Sequence, residues 1–239
     1  MKKAVMNWSG GKDSSLALWE ILKQKEVSVA SLLTTINGAN DRISMHGVRS
    51  ALLEKQAASI GLPLKKIILP EMPSMSVYDD VMQTALSELK QQGVTHSIFG
   101  DIFLEDLKAY RDSKLAAAGL HGIYPLWKRD SKELMRSFID NGFKAVLVCV
   151  NEKYLDKSFC GRFIDDDLLK ALPKNVDPCG ENGEYHSFVF DGPVFKKPIE
   201  YKIGEMVYRN YSKPQSNDDN CYSDSSNYDT GFWYVDLEE

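Results

Sequence analysis

The chain has 239 residues, 43% of them hydrophobic and 26% charged, with a formal net charge of −5. Such a length can bury a sizeable core, as one large domain or two small ones. The acidic balance shows no general nucleic-acid footprint, so no nucleic-acid partner is expected. No apolar run reaches the roughly 18 residues that a membrane helix needs. Met1-Lys2-Lys3 leads almost at once into a polar, glycine-rich stretch, without the apolar centre of a signal peptide. Cys149, Cys160, Cys179 and Cys221 are widely spaced with no C-x-x-C pair. A disulfide framework and a structural zinc are therefore not expected, and a cytoplasmic location is the default.

In chain order, Ala4-Val5-Met6 reads as a strand that stops at Ser9, before an apolar-periodic helix through Leu16 to Leu22. Val27 to Ile36 is a β-branched strand, and Val48 to Ile60 has helical spacing. A strand over Leu64 to Leu69, a helix over Val77 to Gln92 and a strand over Val94 to Phe99 follow. Next come a helix over Glu105 to Ala118, a short strand over Ile123 to Trp127 and a helix over Ser131 to Asn141. Ala145 to Val150 closes the series as a buried strand. Repeated βα units predict an α/β fold with a doubly wound parallel sheet over residues 1–150. Beyond residue 151 the rhythm changes. Strands are expected over Phe188 to Phe190 and Ile199 to Tyr208, then a polar loop near 212–230 and a final strand at Phe232 to Val235. Residues 151–239 thus read as a smaller mixed α+β subdomain, with Phe232, Trp233 and Tyr234 either filling its core or meeting a second copy in a homodimer.

In a doubly wound sheet, ligands collect at the carboxyl ends of the strands. The first such end carries Ser9-Gly10-Gly11-Lys12-Asp13-Ser14. Strand, glycine turn and helix N-terminus in that order make an anion site, because backbone N–H groups converge on one point. The two glycines admit positive φ and close approach of a phosphate, Lys12 can neutralise charge, and Asp13 can hold Mg²⁺ directly or through water. Ser9 and Ser14 can cap the helix or donate to phosphate oxygens. Neither G-x-x-x-x-G-K-[ST] nor G-x-G-x-x-G is present, so the Walker and dinucleotide loops are excluded. A second cluster offers His46, a phosphate contact or a capping or core residue, and Arg49, a partner for an anion. In a third, Gly100 can leave room for a base or ribose and Asp101 can bind Mg²⁺ or an amine; Arg111 lies on the following helix. The fourth is Gly180-Glu181-Asn182-Gly183-Glu184-Tyr185-His186, whose paired acids suit Mg²⁺, an ammonium group or general-base work, or else form a solvated acidic hairpin.

Together these stretches, with Gln56-Ala57, Pro125-Leu126-Trp127, Phe159 to Arg162 and Asp191-Gly192-Pro193, resemble the diphthine–ammonia ligase family. It is a branch of the N-type ATP pyrophosphatases, with many bacterial members of unassigned substrate. The resemblance spans residues 5 to about 200. It implies an adenine nucleotide α-hydrolase-like, Rossmann-like fold with ATP and Mg²⁺ as cofactors. It also implies an AMP-forming ligase that adenylates a carboxylate, releases pyrophosphate and forms an amide with ammonia or an amine. The carboxylate would be a small molecule or a modified protein side chain, diphthine itself where the source makes diphthamide. Lys12, Asp13, Glu181 and Glu184 would be catalytic, with Asp13 as metal ligand. Ser9 to Ser14, His46, Gly100 and Asp101 would bind nucleotide. Arg49, Arg111, Gly180 to Glu184 and His186 would bind substrate. Two other readings stay open at this point, a tRNA-modifying adenylating enzyme and a non-catalytic ATP/AMP sensor.

Overall fold

The computed structural model describes residues 1–43, 46–211 and 230–239, with Tyr211 described by its backbone. Elements are numbered in chain order. Five parallel strands form the first sheet, in the order β4 (Leu64–Leu69), β2 (Val27–Asn37), β1 (Lys2–Asn7), β5 (His96–Ile98), β6 (His121–Ile123). A two-residue β3 (Arg42–Ile43) turns back antiparallel on the end of β2. Strand order reverses at β1, so the crevice at its carboxyl end is the switch point where such sheets bind ligands. Helix α1 (Lys12–Gln24) and α2 (Ser50–Ile60) pack on one face, with Leu18, Ile21 and Leu53 almost fully buried. On the other face, α3 (Met75–Gln91) and α4 (Glu105–Ala118) close over Val5, Leu33 and Phe99.

The second sheet is antiparallel, in the order β8 (Tyr185–Asp191), β7 (Lys144–Asn151), β10 (Thr230–Glu238), β9 (Lys202–Tyr211). This moves one expected strand. Ala145 to Val150 reads as the last strand of the parallel sheet, yet β7 pairs antiparallel with β8 and β10. Every β7 residue after Lys144 is buried, because both faces are covered, and a strand buried on both faces loses the alternation that marks an antiparallel one. Val146, Phe188 and Val235 join the same apolar cluster as Met6 and Leu18, so the two sheets share a core. The strand expected over Ile123 to Trp127 lies earlier, as β6 at His121–Ile123, and Pro125 to Trp127 form a turn after it. The structure adds α5 (Ser131–Asp140), as expected, and a short α6 (Asp166–Ala171). The polar loop expected near 212–230 and Cys221 lie outside the described residues, apart from Thr230. Cys149, Cys160 and Cys179 are buried free thiols. Among the described residues, no helix is long and apolar enough to cross a membrane.

Candidate active site

A cleft of about 750 Å³ opens at the switch point. Ser9 and Gly11 to Ser14 form its floor, and Gly180 to Gly183, Tyr185 and His186 form one wall. His46, Gly100, Asp101 and Arg111 complete the group of expected residues that meet there.

The floor is held from outside. Gly10 sits at φ +75, in the left-handed region, and a Cβ there would lie 2.7 Å from Gln56 Oε1. Its carbonyl accepts from Val189 N of β8 (2.9 Å) and from Gln56 Nε2 (3.0 Å). Gln56 also donates to the Val189 carbonyl (2.7 Å) and accepts from Trp8 Nε1 (2.9 Å). Gly11 is the N-cap of α1 with ordinary negative φ and no side-chain cap. The serines work differently from the expected caps. Ser9 Oγ accepts from Gly11 N (3.3 Å), and Ser14 Oγ donates back to the Gly11 carbonyl (3.0 Å). Lys12 N donates to Ser187 Oγ (3.1 Å), so the second sheet grips the loop twice.

Lys12 is buried at 4% exposure, its Nζ 2.7 Å from Asp13 Oδ2 and 5.2 Å from the centroid of the Tyr185 ring. Burial works against its charge, but the Asp13 carboxylate outweighs it and holds Lys12 protonated above the ordinary lysine range. Asp13 is pushed up by burial and by the neighbouring Asp177 and Asp101, against the pull of Lys12. Glu181 accepts from Ile102 N (2.8 Å); burial first, then the Asp13 charge, push its carboxyl up to about 7. His46 and His186 stack with ring centroids 4.4 Å apart. Burial lowers both, His46 to about 4, and Lys12 adds to the effect, so both rings are neutral at pH 7. His46 Nδ1 is buried with no hydrogen-bond partner.

Two expected roles are corrected. Arg49 does not line the cleft: its guanidinium forks onto Asp236 of β10 through Nε (3.2 Å) and Nη2. Glu184 is 1% exposed and turned away from the cleft, accepting from Asp177 N (2.9 Å), Asn182 N (2.9 Å) and Asn182 Nδ2 (3.1 Å). It is a brace of its own loop and does not line the cleft. Gly100 lines the cleft, and a Cβ there would stand 2.8 Å from the Asp13 carbonyl carbon. Its role is close packing of strand end against helix start. Asp101 and Arg111 are paired with each other at the rim.

The α3–α4 side of the cleft was not expected. Tyr78, Asp79, Met82, Tyr110 and Lys114 line it, with Lys114 Nζ 2.6 Å from Asp79 Oδ2. Gln56 and Ser187 were also missed as loop anchors, although Gln56 stood within a quoted stretch.

The cleft fits a hard cation that arrives with phosphates. Among the described residues no three ligating side chains converge, and Mg²⁺ typically takes only one or two protein carboxylates, keeping waters and phosphate oxygens. Asp13, about one-third exposed, is one of the carboxylates that line the cleft, with Asp101 and Glu181.

The first sheet is doubly wound and Rossmann-like, with a Ser-Gly-Gly-Lys-Asp-Ser loop at its switch point, a fold of the PP-loop type. The family models for the diphthamide synthase N-terminal and C-terminal domains match residues 1–121 and 130–213. The chain belongs to the diphthamide synthase family. Among curated proteins it is similar to the diphthine–ammonia ligases of Danio rerio (26% identical, over 83% of this chain and 86% of the relative) and Homo sapiens (26%, over 83% and 82%). The diphthine–ammonia ligase of Schizosaccharomyces pombe is 33% identical over 38% of this chain, and the match covers 17% of that protein.

Proposed function

We propose that this chain is an ATP-dependent ligase that adenylates a carboxylate and converts it to an amide. The observation that carries the reading is the convergence of the Ser9–Ser14 loop and Glu181 on one cleft. The triphosphate lies against the first turn of α1, whose N–H groups and positive dipole end favour it. A carboxylate oxygen of the acceptor attacks the α phosphorus, and the bond to the bridging oxygen of the β phosphate breaks. Lys12 offsets charge on the leaving pyrophosphate, a preorganised electrostatic contribution. Mg²⁺, held by Asp13, supplies the rest of that neutralisation when bound. Ammonia then attacks the acyl carbon, AMP leaves, and Glu181, held near 7, takes up the proton released by the attacking nitrogen. The relatives' name supports diphthine as acceptor. A second carboxylate of similar reach remains compatible with the same chemistry.

The test is product analysis with Mg-ATP, ammonium and, separately, a small-molecule extract and diphthine-bearing protein. Acceptor-dependent AMP and pyrophosphate are expected, both abolished in Asp13→Ala. ADP as product would overturn the adenylation step. Nucleotide binding without turnover on either acceptor would favour a sensor.

A further inference from the structure

We infer that two copies of this chain join edge to edge through β9, antiparallel, with Val207 facing Val207 and Glu205 facing Arg209 of the second copy. The inference starts from an uncovered edge. β9 ends the order β8-β7-β10-β9, and among the described residues its outer side pairs with nothing. The opposite edge is closed, because Val189 N of β8 is bonded to the phosphate loop. Ile203, Met206, Val207 and Tyr208 are 38–54% exposed, so four large apolar side chains stand in water on this one strand. A long apolar edge of this kind recruits another strand unless something blunts it. Pro is absent from Lys202–Tyr211; the register shift falls across Gly204 and Glu205, opposite Val235 and Leu237, and the ladder is regular from Met206 to Tyr211.

Sequence and pairing geometry select the occupant. In antiparallel pairing of an edge with its own copy, each strand turns alternate residues' N–H and C=O groups outward. Facing residues must therefore have numbers of the same parity. Among such registers near the middle of the strand, the one centred on Val207 sets Glu205 against Arg209 twice, by symmetry. A register centred on Met206 sets Glu205 against Val207, and one centred on Tyr208 sets Val207 against Arg209. Neither Glu205 nor Arg209 joins an ion pair among the described residues. On the other face, Met206 meets Tyr208 of the second copy, beside Trp233, whose ring already lies 4.9 Å from Tyr208. Opposite charges and apolar pairs directly across a ladder are the units that stabilise a sheet. The product is one continuous eight-stranded antiparallel sheet.

Sedimentation velocity from low to high micromolar concentration tests this. The 27.0 kDa chain is expected to shift to twice its mass as concentration rises. Glu205→Arg or Arg209→Glu alone should weaken the dimer by about tenfold or more, since each sets like charges face to face at two places. Glu205→Arg with Arg209→Glu together should restore it, which separates register-specific pairing from misfolding. A monomer at every concentration would overturn the proposal, whether or not β9 amides are protected from exchange within the chain. So would a dimer indifferent to the single reversals.

Discussion

Two glycine-rich loops face each other across the cleft, and they are held in opposite ways. The Ser9–Ser14 loop is gripped from outside: Val189 and Gln56 hold the Gly10 carbonyl, and Ser187 takes the Lys12 N–H. The Gly180–His186 loop is braced from inside: Glu184 gathers Asp177 N and both nitrogens of Asn182, and Asp177 Oδ2 takes Cys179 N and Glu181 N (3.1 Å each). The first arrangement frees the loop's own side chains, Lys12 and Asp13, for the cleft. The second uses its own Glu184 and the preceding Asp177 as internal acceptors and presents Glu181 to the cleft. Two acids that stand three residues apart therefore have different work, and position within a motif does not decide which.

The largest effect expected from breaking this contrast is on stability. Glu184→Ala removes the acceptor of three part-buried hydrogen bonds, from Asp177 N, Asn182 N and Asn182 Nδ2, each worth roughly 1 kcal/mol. A loss of about 3 kcal/mol in denaturant unfolding is expected, with Glu184→Gln recovering part of it. If Glu184→Ala instead unfolds like the parent while losing turnover, the inward brace is the wrong account and the residue is chemical.

How much of this was legible in the sequence follows the same division. Lys12, Asp13 and the glycine turn are contiguous, and strand, turn and helix give their geometry locally. The parallel sheet was readable because α/β alternation needs only short windows. Gln56 was missed as an anchor because its partners lie 46 and 133 residues away. Ser187 holds a loop 175 residues distant. Nothing near either residue in sequence signals a bond that only the packing of two sheets creates. Arg49 misled for the complementary reason: beside His46 it resembles an anion contact, while its true partner is 187 residues on. The antiparallel placement of β7 was hidden by burial on both faces, which erases the period-two pattern.

A subtler difference between the loops is in their response to pH. Folded Glu181 keeps its proton up to about 7, whereas an ordinary glutamate loses it near 4.5. Between those values the folded state binds more protons than the unfolded one, so stability falls as pH rises. His46 and His186, both pushed down by burial, act in the opposite direction over an overlapping range. The informative quantity is therefore the difference between the parent and Glu181→Gln. Relative to the variant, the parent should lose stability steadily from pH 4.5 to 7 and run parallel to it above. Parallel curves throughout would place the Glu181 carboxyl in the ordinary range and remove it as a proton acceptor near neutrality.

The smallest effect is expected where the two sheets clasp each other away from the cleft. Partial burial alone would raise the Asp236 carboxyl, but the bonds from Arg49 and Arg42 hold it well below the usual carboxylate range. In Arg49→Ala, Asp236 keeps Arg42 Nη1 at 2.7 Å, so its charge stays paired. The Arg49 side chain is 42% exposed, and an ion pair this open contributes little, below about 1 kcal/mol. Nucleotide affinity, followed by titration calorimetry, should stay unchanged, because nothing that lines the cleft is touched. A large loss of affinity with stability intact would return Arg49 to the anion site and require the clasp on Asp236 to open when ligand binds.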